Sequence, residues 1–188
     1  MKKFIETVSL LLIICVLAAA SLTVVYNTTK DKIAEQKRIA LLKSLKEVLP
    51  AAESYEEVTT TAAPVHATTS MTTVWRGLSQ DKKIVGYAIY TKTRGYSGDI
   101  GLIFGVDEEN KIAGIKILEQ SETPGLGSKI GDKWFLAQFI GLSVLNKEEI
   151  ALKRDNVKEG KIDSITAATI SSRAVIKAVH QGIEKIIK

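Results

Sequence analysis

The chain has 188 residues and a formal net charge of +5, a length that suits one modest domain with accessory segments. Its single cysteine, Cys15, excludes an intrachain disulfide and a cysteine-ligated zinc or iron–sulfur site, and two isolated histidines, His66 and His180, do not suggest a metal cluster. The basic residues form no stripe with interleaved aromatic side chains, so nucleic acid is not expected as a partner.

The first element is an uncharged, mostly apolar run over residues 7–29. About 20 such residues span a bilayer as a helix, and a core helix of this composition would be out of proportion in so small a protein. We therefore predict a membrane anchor over residues 1–29. A cleaved signal peptide is the alternative, because a basic start precedes the run and residues 18–20 are alanines, but the apolar run continues through Val25.

The charges that flank the anchor bear on its orientation. Two lysines precede it, and four basic residues follow it closely: Lys30, Lys32, Lys37 and Arg38. By the positive-inside rule this bias favours a cytoplasmic C-terminal part, but large domains cross membranes regardless of flanking charge. The charge bias alone therefore leaves the side open.

Residues 30–73 divide into a helical and a polar part. A helix that packs on the domain and ends at Pro50 is predicted by apolar residues at near-helical spacing: Ile33, Ile39, Leu42, Leu45 and Leu49. The tract TTTAAPVHATTSMTT that follows predicts a loose loop, with a β-rich edge as the alternative. His66 is expected to be an exposed residue of that loop.

From Val74 the pattern is typical of strands. KIVGYAIYTKTR and DIGLIFGVDEENKIAGIKILEQ are rich in β-branched and aromatic residues, with DEENK as a turn and RGYSGD as a glycine loop. DKWFLAQFIG predicts a short helix capped by Asp132, and VKEGKIDSIT resembles a turn followed by a short strand. The candidate core residues of the short helix are Trp134, Phe135, Phe139 and Ile140.

The last segment predicts an amphipathic helix that begins at Thr166 or Thr169, with His180 packed or half-exposed beside its apolar stripe. The stripe consists of Val175, Ile176, Val179, Ile183, Ile186 and Ile187. Strands in the middle and helices at the ends predict an α+β fold. We expect an N-terminal transmembrane helix followed by an antiparallel-sheet domain with flanking helices over residues 74–188.

The sequence shows no evident catalytic constellation. Neither histidine has a partner carboxylate to activate a nucleophile, Glu108 and Glu109 lie in a solvated turn, and no P-loop or G-x-G-x-x-G is present. Three other stretches carry candidate sites: RGYSGDIG, SETPGLGSKIGDKW and DSITAATISS. Pro124 and Gly125 fit a type II turn. The hydroxyl-rich third stretch indicates either an ordinary helix cap or a helix start that binds a phosphate.

In their order and spacing, RGYSGDI, SETPGLGSKI, QFIG and DSITAATISS resemble the FMN-binding domain family. With its anchor the chain resembles the RnfG branch of that family, and also the related, usually longer NqrC branch. The resemblance implies that FMN is joined through its phosphate to the hydroxyl of Thr169, with Asp163, Thr166 and Ala168 at the other motif positions. It also implies that a flavin transferase makes this bond from FAD.

The family commonly has glycine at the position of Ala167. We expect a helical conformation there, in which alanine is harmless; a positive φ would cost about 1 kcal/mol or more. The remaining residues expected at the flavin are Tyr96, Ser97, Gly98, Glu122, Thr123, Gly125, Leu126 and Gly127. Of two interpretations of Glu122, a group that acts on the flavin potential and a surface carboxylate, we expect the second. No catalytic residue and no metal site is expected.

The resemblance implies an electron-transfer subunit, not a complete enzyme, of a membrane complex that couples ferredoxin:NAD electron transfer to sodium or proton translocation. Its partners would be the other Rnf-type membrane and peripheral subunits. The family places the domain outside the cytoplasm on a single-pass anchor in the cell (inner) membrane, against the local charge count. Two alternatives remain: a membrane-anchored binding or scaffold module without a redox cofactor, and a soluble or periplasmic flavin-domain reductase.

Overall fold

The computed structural model describes residues 2–58, 72–155, 157 and 159–186. The chain forms two compact units, residues 1–41 and 42–188. Helix α1 (Lys2–Val48) supplies the described residues of the first unit, and its last turns belong to the second.

The first unit is a single exposed helix. Among the described residues, one helix is long and apolar enough to cross a membrane, and it is this one. Because good helix formers continue beyond residue 29, the helix runs without a break into the segment that the sequence pattern separates from the anchor. Ile33 and Ile39, which we expect to pack, are instead about half exposed.

The second unit is built on a five-stranded antiparallel sheet in which sequential strands are neighbours. Its strands are β1 (Ser54–Val58), β2 (Thr72–Leu78), β3 (Ile84–Arg94), β4 (Asp99–Asp107) and β5 (Ile112–Glu119). The sequence does not indicate β1, which is an edge strand without a buried residue, and β2 begins two residues before the predicted start at Val74. Residues 59–71, with His66 and most of the Thr-rich tract, lie outside the described residues.

One face of the sheet carries glycines where the end of α1 lies against it. A Cβ at Gly105 would lie 2.2 Å from the carbonyl oxygen of Val48, and one at Gly114 would lie 2.9 Å from the Cα of Val48. A Cβ at Gly77 would lie 2.5 Å from Cδ2 of Leu49. These glycines allow the helix backbone to approach the strands more closely than any larger residue would permit.

The packing of this helix end confirms part of the prediction for residues 30–49. Leu45 and Leu49 are buried, and the hydroxyl of Tyr55 on β1 donates to the carbonyl of Leu49 at 2.9 Å. Leu42, one turn earlier, is exposed, contrary to expectation. Within the second unit, the buried residues of α1 therefore begin at Ser44.

The opposite face of the sheet carries the hydrophobic core under α3 (Thr169–Ile186). Val175, Val179 and Ile183 are fully buried, and a Cβ at Gly182 would lie 2.7 Å from the ring of Phe104 on β4. The predicted apolar stripe is thus confirmed as the packing face, although Ile187 lies outside the described residues. The antiparallel sheet between helices confirms the α+β prediction.

A 3-10 helix (Gly127–Gly131) and the short α2 (Lys133–Ala137) follow β5. Phe135 and Phe139 are fully buried, but Trp134 and Ile140 are 50% and 54% exposed, so their assignment to the core is wrong. Asp132 occupies the N-cap position without a capping hydrogen bond; its carboxylate instead accepts from the Trp134 indole at 3.3 Å.

The segment before α3 contains less regular structure than its sequence suggests. A second 3-10 turn covers Lys153–Asp155, and Ile162 forms only an isolated parallel bridge with Leu152 where a short strand is expected. His180 is half-buried, as predicted, with its Nε2 2.9 Å from the carbonyl oxygen of Ile150.

Candidate functional site

The three stretches singled out in the sequence meet at one cavity of about 420 Å³. A small-molecule site typically measures about 300–1,000 Å³. The cavity lies between the β3–β4 loop, the turn after β5 and the start of α3. Its lining consists of Tyr96, Glu122, Thr123, Leu126, Gly127, Ala167, Ala168, Thr169, Ile170 and Ser171. Ile170 and Ser171 belong to the third stretch but are not among the residues expected at the flavin.

The turn after β5 has the predicted geometry. The amide of Leu126 donates to the carbonyl of Thr123 at 3.2 Å, and Gly125 between them has a φ of +76°. This positive φ at the third residue, after Pro124, is that of a type II turn. The amide of Gly125 donates to Oγ of Ser128 at 3.0 Å. Gly125 itself, a predicted flavin residue, is not part of the cavity lining.

Gly127 allows the side chains of Glu122 and Ser171 to lie against the backbone in the cavity wall. A Cβ at this position would lie 2.7 Å from Oε2 of Glu122 and 2.8 Å from Oγ of Ser171. Either distance is shorter than van der Waals contact allows, so only glycine leaves those two polar groups where they are.

Glu122 is 5% exposed, and its interpretation as a surface carboxylate is therefore wrong. Its Oε1 accepts from the amide of Ser97 at 3.1 Å, and its Oε2 accepts from the hydroxyl of Ser171 at 2.5 Å. A buried carboxylate needs such donors, because leaving water without them costs several kcal/mol. The partners lie 25 and 49 residues away along the chain, which no local pattern reveals.

The other predicted residues lie outside the described lining of the cavity. Ser97 contacts two lining residues: its amide donates to Glu122, and its hydroxyl lies 3.3 Å from that of Thr123. The carbonyl of Gly98 accepts from Gly95 at 2.7 Å and closes the β3–β4 loop. The carboxylate of Asp163 lies 2.7 Å from Lys153, and Thr166 is exposed.

Thr169 is the first residue of α3, the second of the two predicted starts. Ala167 has a φ of +62°, so the expectation of a helical conformation is wrong. The cause is a turn: the amide of Ala168 donates to the carbonyl of Ile165 at 3.0 Å, which makes Ala167 the third residue of a β-turn. Glycine is favoured at such a position, and alanine there costs about 1 kcal/mol.

Arg154 is a further residue of the site that no sequence motif marks. Its Nη1 donates to Oγ1 of Thr169 at 2.8 Å. Its neighbour Asp155 accepts from Arg173 of α3, and these hydrogen bonds, reinforced by the charges of Arg173 and Arg154, lower the pKa of the Asp155 carboxyl against the opposing effect of burial.

The arrangement suits a flat ring with an anionic tail. The amides of the first turn of a helix lack partners within the helix and, with the helix dipole, favour a phosphate at Thr169. Tyr96, Leu126 and Ile170 leave apolar surface exposed around the cavity, 67%, 44% and 54% respectively. FMN has such a ring and such a tail, so the residues present fit it. Within the described ranges no cluster of His, Cys, Asp or Glu could hold a metal ion.

Comparison with known proteins agrees with this geometry. Residues 95–184 match the FMN-binding domain family, and residues 1–48 match the RnfG N-terminal region. The match to the FMN-binding domain contains the whole lining of the cavity.

Two curated relatives extend over nearly the whole chain. The G subunit of the ion-translocating oxidoreductase complex of Methanosarcina acetivorans is 30% identical, over 98% of this chain and 95% of that protein. The G subunit of the Na(+)-translocating ferredoxin:NAD(+) oxidoreductase complex of Acetobacterium woodii is 33% identical, over 93% and 87%.

A solved structure with the same fold is that of the C subunit of the Na(+)-translocating NADH-quinone reductase from Parabacteroides distasonis. It is 25% identical with a TM-score of 0.52, over 62% of this chain and 61% of that chain. Family matches over both parts of the chain and a relative aligned almost end to end lead to one conclusion: the chain belongs to the RnfG family, the G subunits of ion-translocating oxidoreductase complexes, and carries an FMN-binding domain.

Proposed function

We propose that this chain is the flavin-carrying electron-transfer subunit of an Rnf-type membrane complex, with FMN held as a phosphoester on Thr169. One observation carries the proposal: the cavity that unites the three motifs includes Thr169 at the start of α3 and lies within the match to the FMN-binding domain. The names of the relatives support the setting, an ion-translocating oxidoreductase complex.

In this proposal the chain binds and orients the flavin, which supplies the redox chemistry. The exposed apolar side chains of Tyr96, Leu126 and Ile170 would contact the ring, and the α3 amides and Thr169 would hold the phosphoryl end. Glu122 keeps the β3–β4 loop and α3 in place through Ser97 and Ser171.

Attachment requires FAD and a flavin transferase as maturation partner. The bond between Thr169 Oγ and the FMN phosphorus forms, the pyrophosphate bond of FAD breaks, AMP leaves and the hydroxyl proton is lost. A covalent tether prevents loss of the flavin from a domain outside the cytoplasm.

The test is expression of the full chain with and without a flavin transferase, followed by denaturing electrophoresis and intact-mass measurement. Wild type should give a fluorescent band and the mass of the FMN ester, and Thr169→Ala should give neither. Thr73→Ala is the matched control, because Thr73 lies on β2, outside both the attachment motif and the cavity lining; it should keep the flavin. A wild-type chain that stays colourless would instead support a scaffold module without a cofactor.

We further propose that the partners are the other membrane and peripheral subunits of such a complex, that it translocates sodium ions or protons, and that the domain lies outside the cytoplasm. The exposed residue Lys133 offers a test of the orientation. In a Cys15→Ser background, Lys133→Cys should react with a membrane-impermeant maleimide on intact cells. Labelling only after lysis would place the domain in the cytoplasm.

A further inference from the structure

We infer that Arg154 is the phosphate-binding side chain of this site, which rests on the proposed flavin attachment at Thr169. The guanidinium already donates to Oγ1 of Thr169 at 2.8 Å. That oxygen is the one that becomes the bridging oxygen of the phosphoester. A guanidinium bonded to it lies next to the phosphoryl group and has further N–H donors for its free oxygens.

The position of Arg154 is set by its two neighbours in the chain. On one side Lys153 lies 2.7 Å from the carboxylate of Asp163, the first residue of the attachment motif. On the other side the carboxylate of Asp155 accepts from both Nε and Nη2 of Arg173, the former at 3.0 Å. Three consecutive residues thus contact the beginning of the motif, its last threonine and the first turns of α3.

The backbone of this segment is also held in place. The amide of Lys153 donates to the carbonyl of Ile162 at 3.0 Å, and the amide of Asp155 donates to the carbonyl of Leu152 at 3.0 Å. Leu152 and Ile162 are both buried. Because the backbone of the turn is anchored and the guanidinium already bonds Thr169, less freedom remains to be lost when it binds an anion.

The negative charges at this site favour a cation at the position of Arg154. The phosphodiester carries a negative charge that Thr169 lacks, and the carboxylate of Glu122 lines the same cavity. The helix dipole offsets part of that charge. A guanidinium at the ester oxygen supplies a full positive charge and donors that suit phosphate oxygens.

The experiment compares the full-length chain with and without covalently attached flavin, in detergent. Wild type, Arg154→Gln, Arg154→Lys and the control Lys147→Gln are each prepared with and without treatment by flavin transferase and FAD. The control removes the same charge from a lysine that pairs with Glu184 at 3.2 Å, away from Thr169. Attachment is followed by intact mass, thermal unfolding by circular dichroism, and the phosphorus by ³¹P NMR.

Attachment should raise the melting temperature of Arg154→Gln less than that of wild type. The difference should be about 3–12 °C, the size expected when one hydrogen bond to a charged group is lost from a chain of this length. The ³¹P resonance should shift in this variant, the lysine variant should recover part of the gain, and Lys147→Gln should match wild type. An Arg154→Gln chain that folds but takes up no flavin, while Lys147→Gln takes it up normally, also supports the inference.

Equal melting gains and equal ³¹P shifts in wild type and Arg154→Gln would overturn the role of Arg154 and leave flavin attachment intact. A wild-type chain that accepts no flavin would instead remove the proposed function itself. The two failures are therefore distinguishable by the mass of the wild-type protein.

Discussion

The hydroxyl of Ser171 donates to the carboxylate of Glu122 at 2.5 Å, across 49 residues of sequence. Because the other oxygen of the same carboxylate accepts from the amide of Ser97, one buried side chain joins the β3–β4 loop, the turn after β5 and α3. These are the three walls of the cavity. Glu122 thus holds the site together, whether or not it also acts on the flavin.

This role predicts a large difference between two substitutions of Glu122. Glu122→Ala leaves the buried hydroxyl of Ser171 and the amide of Ser97 without their acceptor and should lower the free energy of unfolding by about 1–3 kcal/mol. Glu122→Gln keeps an oxygen for Ser97, and the hydroxyl of Ser171 can rotate to accept from the new amide, so its loss should be smaller. Urea unfolding of the detergent-solubilised chain, followed by tryptophan fluorescence, measures both. Equal losses would show that the hydrogen bonds contribute little.

The positive φ of Ala167 predicts that Ala167→Gly stabilises the protein. Glycine adopts this conformation without strain, and the gain, after its greater freedom in the unfolded chain is subtracted, should be up to about 1 kcal/mol. The adjacent Ala168→Gly is the matched control. Ala168 is buried and its φ is not positive, so the same change there should destabilise. Thermal unfolding of both variants decides, and a destabilised Ala167→Gly would contradict the strain.

The close packing of the end of α1 on the sheet predicts that Gly105→Ala destabilises the protein. The added methyl group would meet the backbone carbonyl of Val48, which cannot rotate away, so the helix end must shift. We expect a loss of about 1–3 kcal/mol in unfolding free energy, the usual cost of overpacking. In Gly131→Ala the new methyl group has no atom within 4 Å, and that control should stay within about 0.5 kcal/mol of wild type. Denaturant unfolding of the two variants side by side tests this.

His180 predicts a pH dependence of stability. Burial lowers its pKa from the ordinary 6.5; the hydrogen bond to Ile150 and the charge of Glu184 oppose this, and the charge of Lys147 adds to it. The unfolded chain therefore binds a proton between the folded pKa and 6.5 that the folded chain does not. This contribution to stability is complete above pH 6.5 and is lost as the pH falls towards the folded pKa.

The measurement is unfolding free energy at pH 7.5 and at pH 5.5 for wild type and His180→Gln. Stability should fall more between these values in wild type than in the variant. Identical pH slopes would mean that His180 titrates with the same pKa in both states.

Local patterns in the sequence were enough for much of the fold. Three patterns each predict one kind of element. The uncharged run of residues 7–29 predicts a membrane-spanning helix, the β-branched segments of β3 to β5 predict a sheet, and the stripe of Val175, Val179 and Ile183 predicts a helix packed on a core. Such patterns are readable because a helix or strand buries one face at a fixed period. The same holds for the type II turn at Pro124 and Gly125, which depends on the conformational preferences of two adjacent residues.

What the tertiary structure alone decided depends on contacts between distant segments. Glu122 is buried because Ser97 and Ser171 are brought to it, and Arg154 reaches Thr169 because the Lys153–Asp155 turn is held beside α3. Trp134 is exposed although a large aromatic side chain in a short helix suggests a core residue. Ala167 takes a positive φ although alanine favours a helix. Periodicity describes how one segment meets its surroundings on average, whereas burial of a charge or strain at one residue is set by the particular atoms that the fold places around it.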